Sequence, residues 1–477
     1  MKLLKRILKI VGISAGAFIL IVTLLALFTQ TQFFKDRLRV ILASSISTNI
    51  NGTLHLGTIE GNFLSGFSID SLAIFDDKGI LITTGKITCQ YDIVPVFEKR
   101  LKMKYLIIEQ PKIRFVRSMD GKWNLSNIIK PSADTTAGKL DWVLQFDDVE
   151  LKNANIVLID SVSLLAPDHW NMPSSYFEYH DFSVNDLNIK LNAIIQEKNI
   201  RTRINHLSCY SPQSQFELTH FKGDISLSDK EISVKNTIIQ TGKSYLEIDA
   251  SISKINIFEG IQLEDLEHDS TRLQFRAKNI DLSELKSFIP QINFLNGSAF
   301  VNLTANGEFG NLTINHLNLK TLRNTLNVSG NISNLHKPDQ LYLNVIIGDS
   351  KIVPADVPKL LPGLPLPPFK EDEALEFTTT FIGKPVNFRT RTTLHGIKSR
   401  AEITGRLNLE SAPPSYDFSF VTSRVNLSDY FDLGGIRALI STNGTITGSG
   451  FSFDDLSTKL DMSIDSSDIQ NIHLNNS

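Results

Sequence analysis

From Leu54 onward the chain alternates apolar and polar residues with a period of two, in short runs closed by Gly, Asp, Asn or Pro. The runs include TLHLGTIEG, SIDSLAIFD, KMKYLIIEQ, KIRFV, FSVNDLNIKLNAII and YLEIDASIS. Period two sends successive side chains to opposite faces of a strand, so each run reads as a strand with one apolar face. No long helical segments separate the runs, which predicts mostly antiparallel pairing. Asp76-Asp77-Lys78-Gly79 and Met119-Asp120-Gly121-Lys122 read as hairpin turns. In FSVNDLNIKL the alternation slips between Val184 and Leu187, the mark of a bulge. Leu164–Tyr179 reads as a longer loop. The fold class is therefore all-β, an elongated and mostly antiparallel sheet. At about 4.8 Å per strand, roughly 25–35 strands would span on the order of 120–170 Å. A sheet of that length must cover its apolar face by curling on itself or by holding an apolar ligand. Alternation alone does not separate a packed core from an open groove.

Ahead of the strands, Ile10 to Phe28 is nineteen residues without a charge, preceded by Lys2, Lys5, Arg6 and Lys9. As a helix it covers roughly 28 Å, close to a bilayer's hydrocarbon thickness. The basic residues place the N-terminus in the cytoplasm and the bulk of the chain outside. A cleaved signal peptide is the alternative, but the apolar run is long for one and LLALFTQTQFF offers no clean A-x-A site. No cysteine follows the run, which argues against a lipoprotein anchor. Next, Phe34, Leu38, Ile41, Ser45 and Asn49 fall at helical spacing, widened by Phe33, Leu42 and Ile46, with Gly52 as the stop. This predicts a short amphipathic helix within residues 31–52 that caps the end of a sheet.

Net charge is −3, from 48 basic and 51 acidic residues. That balance argues against a nucleic-acid partner, which calls for a basic face. Cys89 and Cys209 are read as separate small hydrophobes, with a disulfide as the alternative. The basic run Lys99, Arg100, Lys102, Lys104 alternates with Leu101, Met103 and Tyr105; it reads as a solvated strand face, with contact to anionic headgroups the other reading. No HExxH, G-x-S-x-G or Walker A pattern occurs. The Asp pairs 76–77, 147–148 and 454–455 read as turn residues, His169 beside Trp170 as a loop residue, and Asn327-Val328-Ser329 as a chance sequon. Nothing points to a catalytic group, a metal or a cofactor, so the chain is not expected to be an enzyme.

The second half repeats. DLSELKSFIP from Asp281, ADVPKLLPGLP from Ala355 and NLSDYFDL from Asn426 each precede a strand group, about 74 and 71 residues apart. TLNVSGNISNL around Gly330 parallels AEITGRLNLE around Gly405. Repeats that cannot close a core alone stack on their neighbours. The last copy is incomplete, so the chain is expected to be a fragment or a short relative. Six prolines between Pro354 and Pro368 read as a joining loop. The divisions are 1–30 cytoplasmic stub and anchor, 31–52 helix, 53–135 and 136–280 β regions, and 281–477 β repeats.

YLIIEQPKIRFVRSMDGKWNLSNIIKP resembles the N-terminal signature of the AsmA-like superfamily, carried here by Pro111, Asp120, Gly121, Trp123, Asn124 and Leu125. TQFFKDRL and IEGNFLSGFSIDSLAIFDDKG resemble the opening of its TamB branch. The resemblance implies a taco-like sheet with an apolar groove, anchored in the inner membrane with its bulk in the periplasm. It implies phospholipid acyl chains as partners and transport toward the outer membrane. An assembly role beside an outer-membrane barrel is the alternative on the same fold, and a structural or adhesive surface protein is a third reading. In LYLNVIIG, Leu341, Leu343, Val345 and Ile347 share the apolar face and are assigned to the groove; Tyr342, Asn344 and Ile346 take the other face.

Overall fold

A computed structural model describes residues 20–477 without 21–22, 25–26, 63, 77–78, 125–127, 129–140, 166–179, 260–265, 287–296, 322, 357–368, 371–373, 397–398, 432–437, 452–454, 466, 471 and 475–477. Most of the expected anchor, Leu125, His169, Trp170 and most of the Pro-rich loop lie outside the described residues. Among the described residues no helix is long and apolar enough to cross a membrane.

Helix α1, Gln32–Asn49, starts at Thr31, whose side chain accepts from the Phe34 N–H. It turns less of its apolar stripe to the sheet than the spacing predicted. Phe34 and Leu38 are half-buried, whereas Phe33 and Ile41 are exposed. The contact runs instead through Ser47, whose hydroxyl accepts from the Leu54 N–H at 3.1 Å. The helix ends at Ile50, not at Gly52. Gly52 serves a different purpose: a Cβ there would strike the Phe75 carbonyl oxygen.

The remainder is almost all strand, in two compact units, Met1–Ser226 and Leu227–Ser477. The first unit holds β1 Thr53–Leu56, β2 Ile59–Asn62, β3 Gly66–Ile69, β4 Leu72–Asp76, β5 Gly79–Thr84, β6 Ile87–Asp92, β7 Arg100–Glu109, β8 Lys112–Arg117, β9 Val143–Asp160, β10 Asp181–Gln196 and β11 Asn199–Ser211. The boundary falls within β12, Phe216–Ser228. Strands pair in the order β2-β3-β6-β7-β9-β10-β11, and a second branch runs β1-β4-β5-β8-β9. Pairing is mostly antiparallel, as predicted; the exception is β9, which runs parallel to β7 with its first half and to β8 with its second. The chain from Ser118 to Trp142 supplies the long return that a parallel pair needs. The break between β7 and β8 falls at Gln110 (φ 50°) and Pro111, where the strand changes its other neighbour from β6 to β5. Proline has no N–H to donate, but its carbonyl still accepts from Asn155 at 2.8 Å, so the ladder to β9 continues. Both predicted hairpins form, Asp76 pairing with Gly79 and Ser118 donating to Lys122. The predicted bulge lies between Val184 and Leu187, with Asp186 at φ 51°.

The second unit holds β13 Glu231–Thr241, β14 Tyr245–Ser253, β15 Ser270–Asp281, β16 Ser298–Glu308, β17 Asn311–Lys320, β18 Thr325–Ser333, β19 Tyr342–Ile352, β20 Leu375–Lys384, β21 Asn387–His395, β22 Arg400–Asn408, β23 Ser415–Asn426, β24 Ala438–Ser449, β25 Ser457–Ile464, β26 Ser467–Ile469 and β27 Ile472–Leu474. From β13 to β25 each strand pairs antiparallel with the next. The sequence repeat has a structural counterpart in short helical segments starting at Leu282, Pro354 and Leu427. Each docks on the hairpin turn two strands back. Glu284 of α2 (Leu282–Lys286) accepts from Thr241 at 2.6 Å and from the Lys243 N–H at 3.2 Å. Asp356 accepts from Asn324 at 2.9 Å. Tyr430 of α3 (Leu427–Tyr430) meets Ser399 at 3.1 Å. Each contact satisfies turn groups that the ladder leaves open.

Glycine at 330 is required by both backbone and space. Its φ is +132°, and a Cβ would crowd the Val345 Cα at 2.7 Å and the Asn344 carbonyl. Gly330→Ala is expected to cost about 1–3 kcal/mol, whereas Gly348→Ala, with no atom within 4 Å of its Cβ, stays within about 1 kcal/mol. Denaturant unfolding of the two variants checks this; equal effects would contradict it.

Candidate functional site

The register of the second unit brings one side of every strand into common rows. One row crosses all strands from β13 to β25: Val234, Ala250, Leu273, Ala305, Ile314, Gly330, Val345, Phe381, Thr390, Gly405, Phe418, Ile446, Leu460. It contains no charge and a single hydroxyl. The row beside it on the same face runs Ile248, Phe275, Leu303, Leu317, Val328, Ile347, Thr379, Thr392, Ile403, Phe420, Gly444, Met462. The row through Asn344 on the opposite face reads Arg272, Asn306, Thr313, Asn331, Asn344, Ile382, Arg389, Arg406, Asp417. One face is thus free of charge across the unit, and the other carries the charges.

Hydroxyls on the apolar face are satisfied locally, as groups in apolar surroundings must be. Thr379, Thr390 and Thr392 bond one another at 2.6–3.1 Å. Thr442 donates to the Ser463 carbonyl at 2.6 Å, and Tyr416 pairs with Thr458. Bulges keep the apolar residues in phase. Between Ile347 and Ser350 the register shifts at Asp349 (φ 46°), which returns the buried Ser350 to the covered side.

The apolar face is covered only in part. The chain has 29 Phe, and none of the described ones is buried. Among the described residues Leu81 is the only large side chain withdrawn almost completely from solvent; the others buried to that degree, such as Ala154, Ala277 and Ser350, are small. A sealed core would withdraw its aromatic residues completely. Phe381 and Phe418 are instead half-buried, and Leu460 and Met462 at the β25 end are exposed. Of the four residues assigned to the groove, Leu343, Val345 and Ile347 lie on the charge-free face; Leu341 directly precedes the strand and is half-buried. Val345 is the buried one, set between Gly330 and Phe381, while Tyr342 and Ile346 are exposed on the other side.

The first unit shows a similar division, except that the Arg117–Asp160 pair lies on its apolar side, in line with Ile113–Ile156 and Phe115–Leu158. Leu106, Val149 and Ile108, Leu151 face one another across β7 and β9, and Ile189, Leu191 and Ala193 continue the face onto β10. Its basic run is a solvated face with acidic partners: Lys104 meets Asp92 at 2.6 Å, Lys102 meets Asp147 at 3.5 Å, and Lys99 pairs with Asp141. Asp147 and Asp148 are therefore mid-strand ion-pair residues within β9, not turn residues, because a register shift there turns them toward Lys102 and Lys190. Exposed pairs of this kind contribute little to stability. Both cysteines are free, and burial pushes both thiols above their usual range.

Of the signature residues, Asp120, Gly121, Trp123 and Asn124 are brought together as a structural clasp, while Pro111 sits at the β7–β8 break and Leu125 lies outside the described residues. The Asp120-Gly121 turn places the Gly121 carbonyl on Arg117 Nε at 3.0 Å. Asn124 bonds the Val116 N–H at 3.0 Å and the Arg114 carbonyl at 2.6 Å, and Trp123 bridges Arg117. Arg117 then reaches the buried Asp160 at 3.2 Å. The periodicity did not reveal a pair of imidazoles, His206 and His220, whose Nδ1 atoms lie 2.8 Å apart. Partial burial, with His206 and Lys222 nearby, holds His220 below the usual range. Among the described residues no group of three or more His, Cys, Asp or Glu is arranged to hold a metal.

The Asp160 carboxyl is pushed up by burial, but the Ser163 hydroxyl and N–H and the Arg117 guanidinium outweigh this and hold it below the usual range. A lowered folded-state pKa gives stability that is present above the unfolded value of about 3.9 and lost as pH falls through the lowered one. Asp160→Asn should therefore flatten this part of the acid limb when unfolding is measured against pH; an unchanged acid limb would contradict the assignment.

Comparison with known proteins gives one family match. The family described as the AsmA family matches residues 4–284. No curated protein matches the chain, and no solved structure does.

Proposed function

The chain belongs to the AsmA family, and on that footing we propose that the apolar face of each unit forms a hydrophobic groove that carries phospholipid acyl chains toward the outer membrane. The family is associated with lipid transport and outer-membrane assembly, and its members are typically envelope-associated. Within it we place the chain in the TamB branch, on the opening residues around TQFFKDRL. We place its N-terminal apolar run in the inner membrane and its bulk in the periplasm. The function is a binding and conducting one without a chemical step.

One observation carries this reading: rows of apolar side chains cross strand after strand without a charge, yet their phenylalanines stay half-exposed. Exposed apolar area on this scale is unfavourable in water, at about 25 cal/mol per Å². Acyl chains relieve that cost, and each CH₂ kept from water contributes about 0.8 kcal/mol. The lack of charge leaves no fixed point at which a sliding chain would be held.

The face makes different demands at different positions. Val345→Asp places a carboxylate between Gly330 and Phe381 and should destabilise the fold by about 3 kcal/mol or more. Ile446 is half-buried, so Ile446→Asp should retain folding while interrupting the apolar path. Benzoylphenylalanine at Phe418 is expected to crosslink phospholipid in cells, with the adduct lost in the Ile446→Asp background and absent at Ile346. Capture of unfolded polypeptide in place of lipid would favour the assembly role. No lipid adduct at Phe418 would overturn the conduit.

A further inference from the structure

In the first unit the segment between β6 and β7 presents apolar side chains outward. Phe97 is 89 % exposed, the highest among the described large hydrophobics, and Val94 is 71 % exposed. The segment is a 3-10 turn, Val94–Glu98, with Pro95 in its first turn and Lys99 closing it in the left-handed region. The Val96 N–H donates to Ile93 and the Lys99 N–H to Val96, so its own backbone supplies partners for these groups. Two other segments meet it at the same end of the sheet. The Tyr91 N–H donates to Ser65 at 3.0 Å, bringing up exposed Leu64, and the Val143 N–H donates to Lys99 at 3.0 Å, bringing up Trp142.

We propose that this knuckle inserts into the interfacial layer of a phospholipid bilayer and forms a membrane-contacting lip of the groove. The proposal rests on the reading of the charge-free face as a lipid path. Projecting apolar tips on a stiff turn, with a tryptophan at their base, fit the headgroup and acyl boundary. A flat protein partner would be met by a level patch. Local charges nearly cancel: Lys99 pairs with Asp141, Lys104 with Asp92, and Glu98 stands beside Arg100, which has no ionic partner among the described residues. Insertion should then depend on the apolar tips and only weakly on anionic lipid. The lip is continuous with the path, because Leu101 and Met103 pair with Leu144 and Phe146 from the first residues of β7 and β9.

The test uses the full chain reconstituted in phosphatidylethanolamine vesicles, with and without phosphatidylglycerol, carrying benzoylphenylalanine at one position. Position 97 should give about tenfold more lipid adduct than the outward-facing position 346, with little change on adding phosphatidylglycerol. With the label at position 64, the double variant Val94→Asp, Phe97→Asp should lower the adduct about tenfold and leave the unfolding midpoint unchanged. Equal adduct at 97 and 346, or adduct to protein alone, overturns the lip. A label at Phe418 separates the two readings: lipid there with none at 97 removes the lip and keeps the conduit, and lipid at neither removes both.

Discussion

The structure depends on strand register. Period-two alternation gives each strand one apolar side, but only correct pairing aligns those sides into a surface. A one-residue slip in β19 would bring Tyr342, Asn344 and Ile346 into the rows now held by Leu343, Val345 and Ile347. The bulges protect the alignment. At Asp349 and Arg424 the backbone enters the left-handed region, one strand gains residues over its partner, and the apolar residues beyond return to the same face. The short segments at Leu282, Pro354 and Leu427 hold three of the turns between strands, so that the β13–β14, β17–β18 and β21–β22 hairpins are fixed at one end as well as along their ladders.

Much of this was legible in the sequence, because alternation and turn chemistry are local. The hairpins at Asp76–Gly79 and Ser118–Lys122, the bulge before Leu187 and the apolar side of LYLNVIIG all follow from neighbours within a few residues. The misreadings are matters of pairing over long separations. Pro111 does separate two strands, as its sequence predicted, but the exchange of β6 for β5 there, with β9 alongside both strands, could not be read from neighbours. Gly52 looked like a helix stop, but the nearby Phe75 carbonyl is what excludes a side chain. Asp147 and Asp148 looked like turn residues until β7 and β10 brought lysines opposite them. His206 and His220 are fourteen positions apart and become neighbours only through folding.

The two faces divide the work. Several charges on the polar face are paired across strands, as with Lys190 between Glu150 and Asp148, or Glu247 with Lys278. These pairs keep that face wet and contribute little energy. In the second unit the apolar face has no such groups among the described residues, and hydroxyls there bond to one another or to the backbone. The result suits a ligand that brings apolar length and asks for no directional contact. The same division accounts for the clasp around Asp120, Gly121 and Asn124, which spends its polar groups on holding β8 and β9 and offers none to a ligand.

The central claim is that the charge-free face is occupied by acyl chains and is not an incompletely sealed core. Native mass spectrometry of the full chain, released from membranes in mild detergent, tests it most directly. The account predicts phospholipid bound to the wild-type protein and depleted from a folded Ile446→Asp variant. A wild-type protein that carries no lipid, or a variant that retains the wild-type complement, would contradict it.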